Sequence, residues 1–325
     1  MRHAARILLT GGSGFVGRYV APWLVQAFPS AQRVGLLSQR AEALGADWAI
    51  VRADIRDEAA IESILADLRP DLIVHLAAQA SVGQGLRMAE DTWWVNFGGT
   101  FALARAAARH AAQSTFFFSS TAEVYGASFN TGPVNEETPL APLSAYASSK
   151  AAAEHVLRDL LSPTTRLIVT RAFNHTGPGQ DERFVLSSFA AQVARIEKRR
   201  VPPVIRVGNL EARRDFLDVR DVVEAYGRLI AADDLPERLT VNVASGRVAR
   251  IGDLLEEMRR LSTGAFEIAV DPARLRASDI PSAVGDASRL KQLTGWSTKE
   301  TMRSTLRALL DEWRAKLERD AAAQV

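Results

Sequence analysis

Short apolar segments alternate with longer segments of helical periodicity in the first half of the chain. This alternation is typical of parallel strands joined by crossover helices, since the strands of such a sheet are buried on both faces. Strands are predicted at residues 6–10, 33–37, 48–51, 72–76, 114–119 and 166–171. Helices are predicted near residues 16–27, 58–68, 92–112 and 145–160. The pattern therefore predicts an α/β fold with a doubly wound parallel sheet.

The pattern changes near Phe173. Beyond it the chain has the Pro- and Gly-rich segments TGPGQ and VPP, a basic run at residues 198–200 and mixed short elements. Residues 218–232 again have helical periodicity, and this helix can return to the sheet. We therefore predict a first domain at residues 1–172, with a returning segment at about 217–245, and a smaller, interleaved C-terminal α/β domain at residues 173–325.

The composition is that of a globular chain, because 47% of its 325 residues are hydrophobic and 24% are charged. Lys and Arg number 40 against 38 Asp and Glu, so the net charge of +2 predicts no nucleic-acid binding. The absence of Cys excludes disulfides, thiolate metal sites and a cysteine nucleophile. No 18 consecutive residues are apolar and the N-terminus runs directly into the first strand, which predicts a cytoplasmic protein without membrane association.

A glycine-rich loop, TGGSGFVG, joins the first predicted strand to the first predicted helix at residues 10–17. Glycines at this spacing allow a tight turn and let a pyrophosphate approach the helix N-terminus, whose N–H groups and dipole favour an anion. The position between strand and helix is the one that a dinucleotide-binding loop requires. We therefore predict a Rossmann-type domain, with cofactor contacts at Gly11, Gly14, Phe15, Val16 and Gly17.

The end of the second predicted strand indicates which dinucleotide binds. NAD sites usually have an Asp or Glu there for the adenosine ribose hydroxyls, whereas this chain has Ser38 and Arg40. A hydroxyl followed by a guanidinium suits a 2′-phosphate, so NADP(H) is predicted to be preferred, with NAD(H) as the alternative. After the third strand, Asp54 and Ile55 can contact the adenine, although an Asp that follows a strand is also a common helix cap.

Tyr146 and Lys150 lie four residues apart on a predicted helix and so share one face. An ammonium near a tyrosine hydroxyl stabilises the phenolate and lowers its pKa, which makes the tyrosine usable as a proton donor and acceptor near neutral pH. The fifth strand brings the hydroxyl of Thr121 and the carboxylate of Glu123 to the C-terminal edge of the sheet, where open α/β sheets bind ligands. Because a Tyr and a Lys at this spacing also arise by chance, these four residues are candidates for catalysis.

Four motifs together resemble one enzyme family. They are TGGSGFVG at residues 10–17, HLAAQ at 75–79, SSTAEVYG at 119–126 and YASSK at 146–150. In this order and spacing they resemble the extended short-chain dehydrogenase/reductases that act on nucleotide sugars. The resemblance implies a hydroxyl role for Thr121, a general acid/base role for Tyr146, and contacts of Lys150 with that tyrosine and with the nicotinamide ribose. It also implies cofactor contacts at Leu76, Ala77, Ala78, Gln79, Tyr146, Phe173 and His175.

Three later segments resemble the GDP-sugar branch of this family, which contains GDP-mannose 4,6-dehydratases and GDP-4-keto-6-deoxymannose reductases. They are RAFNHTGPGQ at residues 171–180, GNLEARRDF at 208–216 and LRASD at 275–279. Guanidinium groups suit a diphosphate because their planar fork pairs with two oxygens. The segment RASD at residues 276–279 departs from the usual Arg-Pro-x-Glu but keeps its charge pattern. The resemblance implies substrate contacts at Ser81, Thr121, Glu123, Asn174, Arg183, Arg206, Asn209, Arg214 and Arg276.

The segment after the Asn-His pair reads TGPGQ, as in the reductases, where dehydratases usually continue ESPRR. The resemblance therefore implies NADPH-dependent reduction of the 4-keto group of GDP-4-keto-6-deoxy-D-mannose, with Tyr146 as the proton donor. The product would be GDP-D-rhamnose or GDP-6-deoxy-D-talose. A GDP-mannose 4,6-dehydratase is the alternative, because Glu123 can supply the extra acid/base group that it needs. A cofactor-binding regulator without catalysis is a third hypothesis, against which the intact Thr121, Tyr146 and Lys150 argue.

Several other residues have alternative interpretations. His75, at a strand end, is interpreted as a hydrogen-bonded structural residue, whereas His175 is a candidate contact of the nicotinamide. With five His and no Asp/Glu cluster at metal-ligand spacing, no metal is predicted. The resemblance implies a homodimer through the helices at residues 92–112 and 145–160, and Trp93 and Trp94 are predicted core or interface residues.

Overall fold

The computed structural model describes residues 4–39, 41–79, 88–275 and 280–322. Its largest feature is a sheet of seven strands in which every neighbouring pair is parallel. The strands are β1 (Arg6–Thr10), β2 (Gln32–Leu37), β3 (Ala49–Arg52), β4 (Leu72–His75), β5 (Thr115–Thr121), β6 (Arg166–Ala172) and β10 (Arg238–Val243). Their spatial order is β10-β6-β5-β4-β1-β2-β3, which confirms the predicted α/β fold with a doubly wound parallel sheet.

The helices have the bounds α1 (Gly17–Ala27), α2 (Glu58–Leu68), α3 (Ala89–Trp93), α4 (Gly99–His110), α5 (Ala145–Leu160), α6 (Val185–Glu197), α7 (Val219–Ala231), α8 (Ile251–Leu261), α9 (Ser288–Thr294) and α10 (Met302–Ala322). The helix predicted at residues 92–112 is divided, because a π-helical segment at Trp94–Gly98 separates α3 from α4. In this wider turn Asn96 is buried, and it contacts the candidate site described below.

Shorter strands form two further sheets. They are β7 (Asn174–Thr176), β8 (Val204–Val207), β9 (Arg213–Asp218), β11 (Val248–Arg250), β12 (Glu267–Val270) and β13 (Ser282–Ala283). β9 is central, because it pairs with β7 and β13 in parallel and with β11 antiparallel, while β8 and β12 form a parallel pair. β9 leads directly into α7, which begins after Asp218; the carboxylate of this residue accepts a hydrogen bond from the Arg220 N–H at 2.7 Å.

Adjacent phenylalanines of β5 illustrate how the large sheet is buried on both faces. Phe117 packs into the hydrophobic cluster that contains residues of α1 and α7, whereas Phe116 and Phe118 pack into the cluster formed with α2, α4 and α5. A third cluster joins residues of α6, α8 and α10. We call the part of the chain around this third cluster, residues 181–212, 248–275 and 302–322, the C-terminal lobe. The molecule therefore combines a two-sided sheet core with a smaller helical core.

The element boundaries differ from the predicted ones by a few residues. The most important difference for the site is that β5 continues two residues past the predicted end at 119, because Thr121 pairs with Ala172 of β6. The Thr121 side chain therefore lies at the last position of a buried strand. None of the helices in the described part of the chain combines the length and apolar character that a bilayer crossing requires.

Candidate active site

The glycine-rich loop lies between β1 and α1 and is compact. A Cβ on Gly17 would lie 2.2 Å from the carbonyl oxygen of Gly11, and Gly11 itself has a φ of +72°. Only glycine fits both positions without strain. Helix α1 begins after Val16, with no side-chain cap and no acidic residue in its first turn. Its partly positive N-terminus is thus left for an anion, and the loop fits a pyrophosphate.

Two predicted cofactor contacts meet beside this loop. The rings of Phe15 and His175 stack with centroids 6.0 Å apart and an interplanar angle of 7°. His175 Nδ1 donates a hydrogen bond to the carbonyl oxygen of Phe173 at 2.9 Å. Burial lowers the pKa of His175, so the imidazole is neutral at neutral pH. The structure therefore brings β7 against the glycine-rich loop at the carboxyl edge of the sheet.

The loop after β4, which carries the predicted contacts Leu76 to Gln79, is tied to its neighbours by side chains. The hydroxyl of Thr10 accepts a hydrogen bond from the Ala77 N–H at 3.2 Å, and Asn96 Oδ1 accepts one from the Gln79 N–H at 2.8 Å. Asn96 also donates to Ser149 Oγ of α5 at 3.1 Å. Asn96 is a residue that the sequence analysis missed, because only the π-helical segment reveals its inward orientation.

The predicted adenosine end is organised by an arginine that the sequence analysis did not single out. Arg52, the last residue of β3, donates from Nη1 to the carbonyl oxygens of Ser38 and Ala41, both at 2.9 Å. Ser38 itself is exposed directly after β2, as a contact of a ribose phosphate would have to be. Arg40 lies outside the described residues.

Asp54 and Ile55 follow β3, where they were predicted. Asp54 forms an ion pair with Arg56, with Oδ2 and Nη2 2.7 Å apart, and this hydrogen-bonded pairing lowers the pKa of the carboxyl group. The cap of α2 is not Asp54 but Asp57, which accepts a hydrogen bond from the Ala60 N–H at 3.0 Å. The helix-cap interpretation of Asp54 is therefore wrong.

The predicted catalytic hydroxyls meet at the end of β5. The side chain of Tyr146, near the start of α5, is hydrogen-bonded to that of Thr121. Burial raises the pKa of Tyr146 to about 12, and the bond to Thr121 offsets part of this rise. This direction is opposite to the one that the Tyr-Lys spacing predicted, because desolvation dominates and the nearby Glu123 raises the pKa further. The hydroxyl therefore keeps its proton at neutral pH.

Lys150 lies one turn further along α5 and is only 2% exposed. Its Nζ lies 4.0 Å from the centroid of the Phe118 ring. Burial lowers the pKa of Lys150 to about 7, while the carboxylate of Glu154 raises it. The lysine therefore titrates near neutral pH, where small changes in its surroundings decide its charge.

Two residues of opposite charge border the tyrosine. Glu123 is close enough to Tyr146 to raise its pKa, and burial raises the pKa of Glu123 while Arg214 lowers it. Arg214 comes from β9 and also donates from Nη1 to the carbonyl oxygen of Ile280 at 3.1 Å. A predicted substrate contact of the second half of the chain thus lies near the predicted catalytic group.

Four other predicted substrate contacts lie in different environments. Asn174 is exposed on β7. Arg183 pairs with Asp181, with Nε and Oδ1 2.8 Å apart. Arg206 is exposed on β8, and the side chain of the exposed Asn209 accepts a hydrogen bond from the backbone two residues later. These four side chains are therefore accessible to solvent and lie on different segments of the chain.

Two predicted substrate contacts, Ser81 and Arg276, lie outside the described residues. Next to the second, the structure describes an arginine that the sequence analysis missed: Arg274 donates from Nη1 to Ser188 Oγ at 3.1 Å. Ser188 lies on α6, so this contact links two parts of the C-terminal lobe. No sequence motif marked this arginine.

His75 is enclosed by hydroxyl groups. Its Nδ1 lies 2.7 Å from the hydroxyl of Thr10 and its Nε2 lies 2.9 Å from that of Thr100. Burial lowers the pKa of His75 to about 3, and Lys150 lowers it further. These contacts support the structural interpretation of this histidine. Within the described ranges, no three His, Asp or Glu side chains come together as metal ligands.

Comparisons with known proteins agree with this geometry. A family model described as GDP-mannose 4,6 dehydratase matches residues 8–309. GDP-6-deoxy-D-mannose reductase of Pseudomonas aeruginosa is 33% identical, over 96% of this chain and 98% of that protein. GDP-6-deoxy-D-talose 4-dehydrogenase of Aggregatibacter actinomycetemcomitans is 29% identical, over 94% of this chain and 96% of that protein.

A solved structure extends the likeness to three dimensions. The protein called RMD from Pseudomonas aeruginosa, solved in complex with NADPH, superposes with a TM-score of 0.80 and 32% sequence identity. The match covers 96% of this chain and 99% of the RMD chain. The likeness therefore includes both the large sheet and the C-terminal lobe.

Proposed function

Since the chain belongs to the GDP-mannose 4,6 dehydratase family, we propose that it is an NADPH-dependent reductase of GDP-4-keto-6-deoxy-D-mannose. The chain is an oxidoreductase that acts on a nucleotide sugar. The observation that carries the choice of reduction is the similarity, over nearly the whole length of both chains, to GDP-6-deoxy-D-mannose reductase and to RMD solved with NADPH. Burial raises the pKa of Tyr146 to about 12, so its hydroxyl is protonated at neutral pH. A tyrosine that is protonated at neutral pH is suited to give a proton to a substrate oxygen.

NADPH is the preferred cofactor in this proposal, and NADH is the weaker alternative. The N-terminus of α1 and the glycine-rich loop would hold the pyrophosphate, and Lys150 would contact the nicotinamide ribose. When bound, NADPH supplies the hydride. Ser38 and the loop organised by Arg52 support the preference, because no carboxylate occupies the end of β2 to repel a 2′-phosphate.

The side chains of the chain itself manage the proton. Tyr146 donates its hydroxyl proton to the C4 oxygen of the substrate as the keto carbon becomes an alcohol carbon. Thr121 hydrogen-bonds the tyrosine oxygen and stabilises the charge that develops on it. The ammonium of Lys150 favours the same charge electrostatically. The hydride and this proton together convert the ketone to the alcohol.

The nucleotide part of the substrate would be held by the second half of the chain. We propose that Arg214 pairs with the diphosphate, because its guanidinium lies beside Glu123 and hence close to the reacting groups. In this proposal, residues 173–325 apart from the returning segment at about 217–245 form the substrate domain. The product is GDP-D-rhamnose or GDP-6-deoxy-D-talose, depending on which face of C4 receives the hydride.

A GDP-mannose 4,6-dehydratase is the second candidate. One observation favours it: Glu123 is close to Tyr146, and burial raises the pKa of its carboxyl group toward the range useful for proton transfer. Such an enzyme would return its hydride to the substrate and leave the cofactor unchanged overall.

Two parallel reactions test the choice. One contains the protein, GDP-4-keto-6-deoxy-D-mannose and NADPH, and the other contains GDP-mannose and NADP⁺. The proposed reductase consumes NADPH in the first reaction, as followed by nicotinamide absorbance, and NMR of the product gives the configuration at C4. Conversion of GDP-mannose without net cofactor change would contradict the reductase proposal and support the dehydratase. Glu123→Gln is the matched variant, because it should preserve reduction and abolish dehydration.

We further propose that the enzyme is a homodimer. Trp93 packs edge-on against Phe97, with ring centroids 6.2 Å apart, and Phe97 packs in a tilted arrangement against Phe101, with centroids 6.3 Å apart. The row begins at the surface, where Trp93 is 39% exposed and the adjacent Trp94 is 59% exposed. Trp94→Glu should convert a dimer of 35.4 kDa chains to monomers in sedimentation. A wild-type protein that sediments only as a monomer would contradict this part of the proposal.

A further inference from the structure

Helix α5 carries a third ionisable residue on the face of Tyr146 and Lys150. Glu154 follows Lys150 by four residues, so the three side chains lie one helical turn apart in sequence. Glu154 is 0% exposed, and neither catalytic role proposed above uses it. A fully buried carboxylate is costly to keep unless several partners compensate its charge.

Those partners come from the two strands beneath α5. Glu154 Oε1 accepts a hydrogen bond from Ser120 Oγ at 2.5 Å, and Glu154 Oε2 accepts one from Arg171 Nη2 at 2.7 Å. Arg171 Nε also donates to Glu154 Oε1 at 3.1 Å, so the guanidinium hydrogen-bonds to both carboxylate oxygens. Ser120 and Arg171 are paired neighbours in β5 and β6, immediately before Thr121 and Ala172. The carboxylate is therefore fixed at the end of the strand that carries Thr121.

Arg171 is anchored on its other side as well. Its Nη1 donates to the hydroxyl of Tyr125 at 3.1 Å, and that hydroxyl donates to Asn242 Oδ1 at 2.7 Å. The Asn242 N–H in turn donates to Glu136 Oε1 at 2.7 Å. A second carboxylate, whose side chain is 4% exposed and faces Arg289, thus belongs to the same network on the side of Arg171 away from Glu154. This second carboxylate provides a matched control.

The titratable groups near Lys150 other than Glu154 are neutral, so they do not stabilise its ammonium. His75, from β4, is neutral because burial lowers its pKa to about 3. Tyr146 is neutral because burial raises its pKa to about 12, and burial raises the pKa of Tyr226 of α7 as well. The Coulombic contribution that opposes the desolvation of Lys150 comes from Glu154.

Other charged groups near α5 have different partners. On the helix itself, Arg158 lies 3.9 Å from Glu154 Oε2 and is 40% exposed, so solvent screens it. From the segment after β5, Glu123 faces Arg214, and burial raises the pKa of Tyr125. From α4, Arg105 pairs with Glu58 of α2, with Nη2 and Oε2 2.5 Å apart.

We propose that Glu154 is a positioning residue that keeps Lys150 protonated during reduction, while Arg171 and Ser120 hold its carboxylate in place. The inference rests on the proposed reductase for its kinetic consequence alone. The protonation of Lys150 itself can be measured in the free protein, without substrate or cofactor.

The chain is favourable for that measurement, because it contains five lysines. Lys198, Lys291, Lys299 and Lys316 are exposed, and Lys150 is the buried one. Lysine labelled with ¹³C at the ε-carbon gives one NMR signal for each, and the signal absent from Lys150→Met is that of Lys150. A pH titration of the signal then gives its pKa directly.

The decisive variants are Glu154→Gln and Glu136→Gln. Glu154→Gln removes the charge at nearly constant shape, and the pKa of Lys150 should fall by about one pH unit. Glu136→Gln removes the carboxylate at the far end of the network, and the pKa should stay within about 0.2 unit of the wild-type value. Equal shifts in the two variants, or no shift in Glu154→Gln, would overturn the proposal.

Folding of the variants is followed by thermal unfolding and by NADPH binding. If Glu154→Gln does not fold, the double variant Glu154→Gln/Arg171→Met removes both charges of the buried pair, which such pairs tolerate better than the loss of one partner. A downward shift of the Lys150 pKa is expected there too, smaller than in Glu154→Gln because the Arg171 cation is lost as well, and an unchanged pKa contradicts the proposal.

The kinetic consequence separates this role from a merely structural one. In Glu154→Gln the alkaline limb of the kcat profile should move to lower pH by the same amount as the Lys150 pKa. Glu154→Asp, which keeps the charge, should restore most of that shift. A uniform loss of kcat at all pH values would assign Glu154 a structural role instead. If the wild type does not reduce the keto sugar, the reductase proposal fails while the NMR titration still decides this one.

Discussion

The carboxyl edge of the large sheet and the C-terminal lobe both present charged groups, but they surround them differently. Lys150 is 2% exposed and its pKa is lowered to about 7, whereas the side chain of Arg183 is 50% exposed and pairs with a neighbour two residues away. Burial makes the energy of a charge depend on its surroundings, and solvent removes most of that dependence. Burial therefore suits the first region to proton transfer, whereas exposure suits the second to contacts with charged groups in solution.

The largest effect should come from the most deeply embedded hydroxyl. Tyr146→Phe removes the proton donor while keeping the ring, so kcat should fall by roughly 10³-fold or more. NADPH affinity, measured by fluorescence titration, should change by less than about threefold, because the cofactor loop is untouched. Near-normal turnover in this variant would show that the proton comes from elsewhere.

Thr121→Val tests the partner of that hydroxyl. It removes the hydrogen bond that offsets part of the pKa rise of Tyr146, so kcat should fall by about 10²-fold with little change in KM. Steady-state kinetics separate the two constants. Thr121→Ser, which keeps the hydroxyl, is the control and should retain most of the activity; equal losses in both variants would argue for a packing role.

Arg214→Met should have an intermediate effect. Arg214 is half-buried on β9 and lies near Glu123, between the two regions. Loss of a charge-assisted contact with the diphosphate should raise KM for the GDP sugar by roughly 10–100-fold, with a smaller effect on kcat. Binding of GDP alone, measured calorimetrically, should weaken in parallel. Unaltered GDP binding would remove Arg214 from the substrate site.

Arg183→Ala should have the smallest effect. Its exposed ion pair with Asp181 contributes little to stability, so the midpoint of thermal unfolding should move by no more than about 2 °C. KM for the GDP sugar should rise by less than about fivefold, since the same side chain can contact phosphate only through solvent-screened charge. A larger rise in KM would place this arginine inside the binding site and weaken the contrast between the two regions.

Local sequence predicted those features that local chemistry constrains. The glycine-rich loop is recognisable because Gly17 has no room for a side chain, and the Tyr146–Lys150 spacing follows from helix geometry alone. The parallel sheet follows from apolar strands that need covering on both faces. These constraints act within a few residues, so a single sequence contains them.

Other features depend on contacts between distant segments. The direction of the Tyr146 pKa was mispredicted because spacing shows the nearby lysine but not the desolvation. The pairing of Glu154 with Arg171 joins a helix to a strand. The inward orientation of Asn96 depends on a π-helical turn, which the hydrophobic periodicity of the sequence does not predict. Such features could be found only once the fold had placed the segments together.

The position of β10 has a consequence for how the chain is made. All seven residues of β6 are buried, and its outer edge is covered by β10, which ends at Val243. A ribosome must therefore synthesise β7, α6, β8, β9 and α7 before the last strand of the large sheet becomes available. Until then, β6 is an apolar edge that can pair with another chain. We therefore expect fragments that end near residue 172 to aggregate when expressed alone.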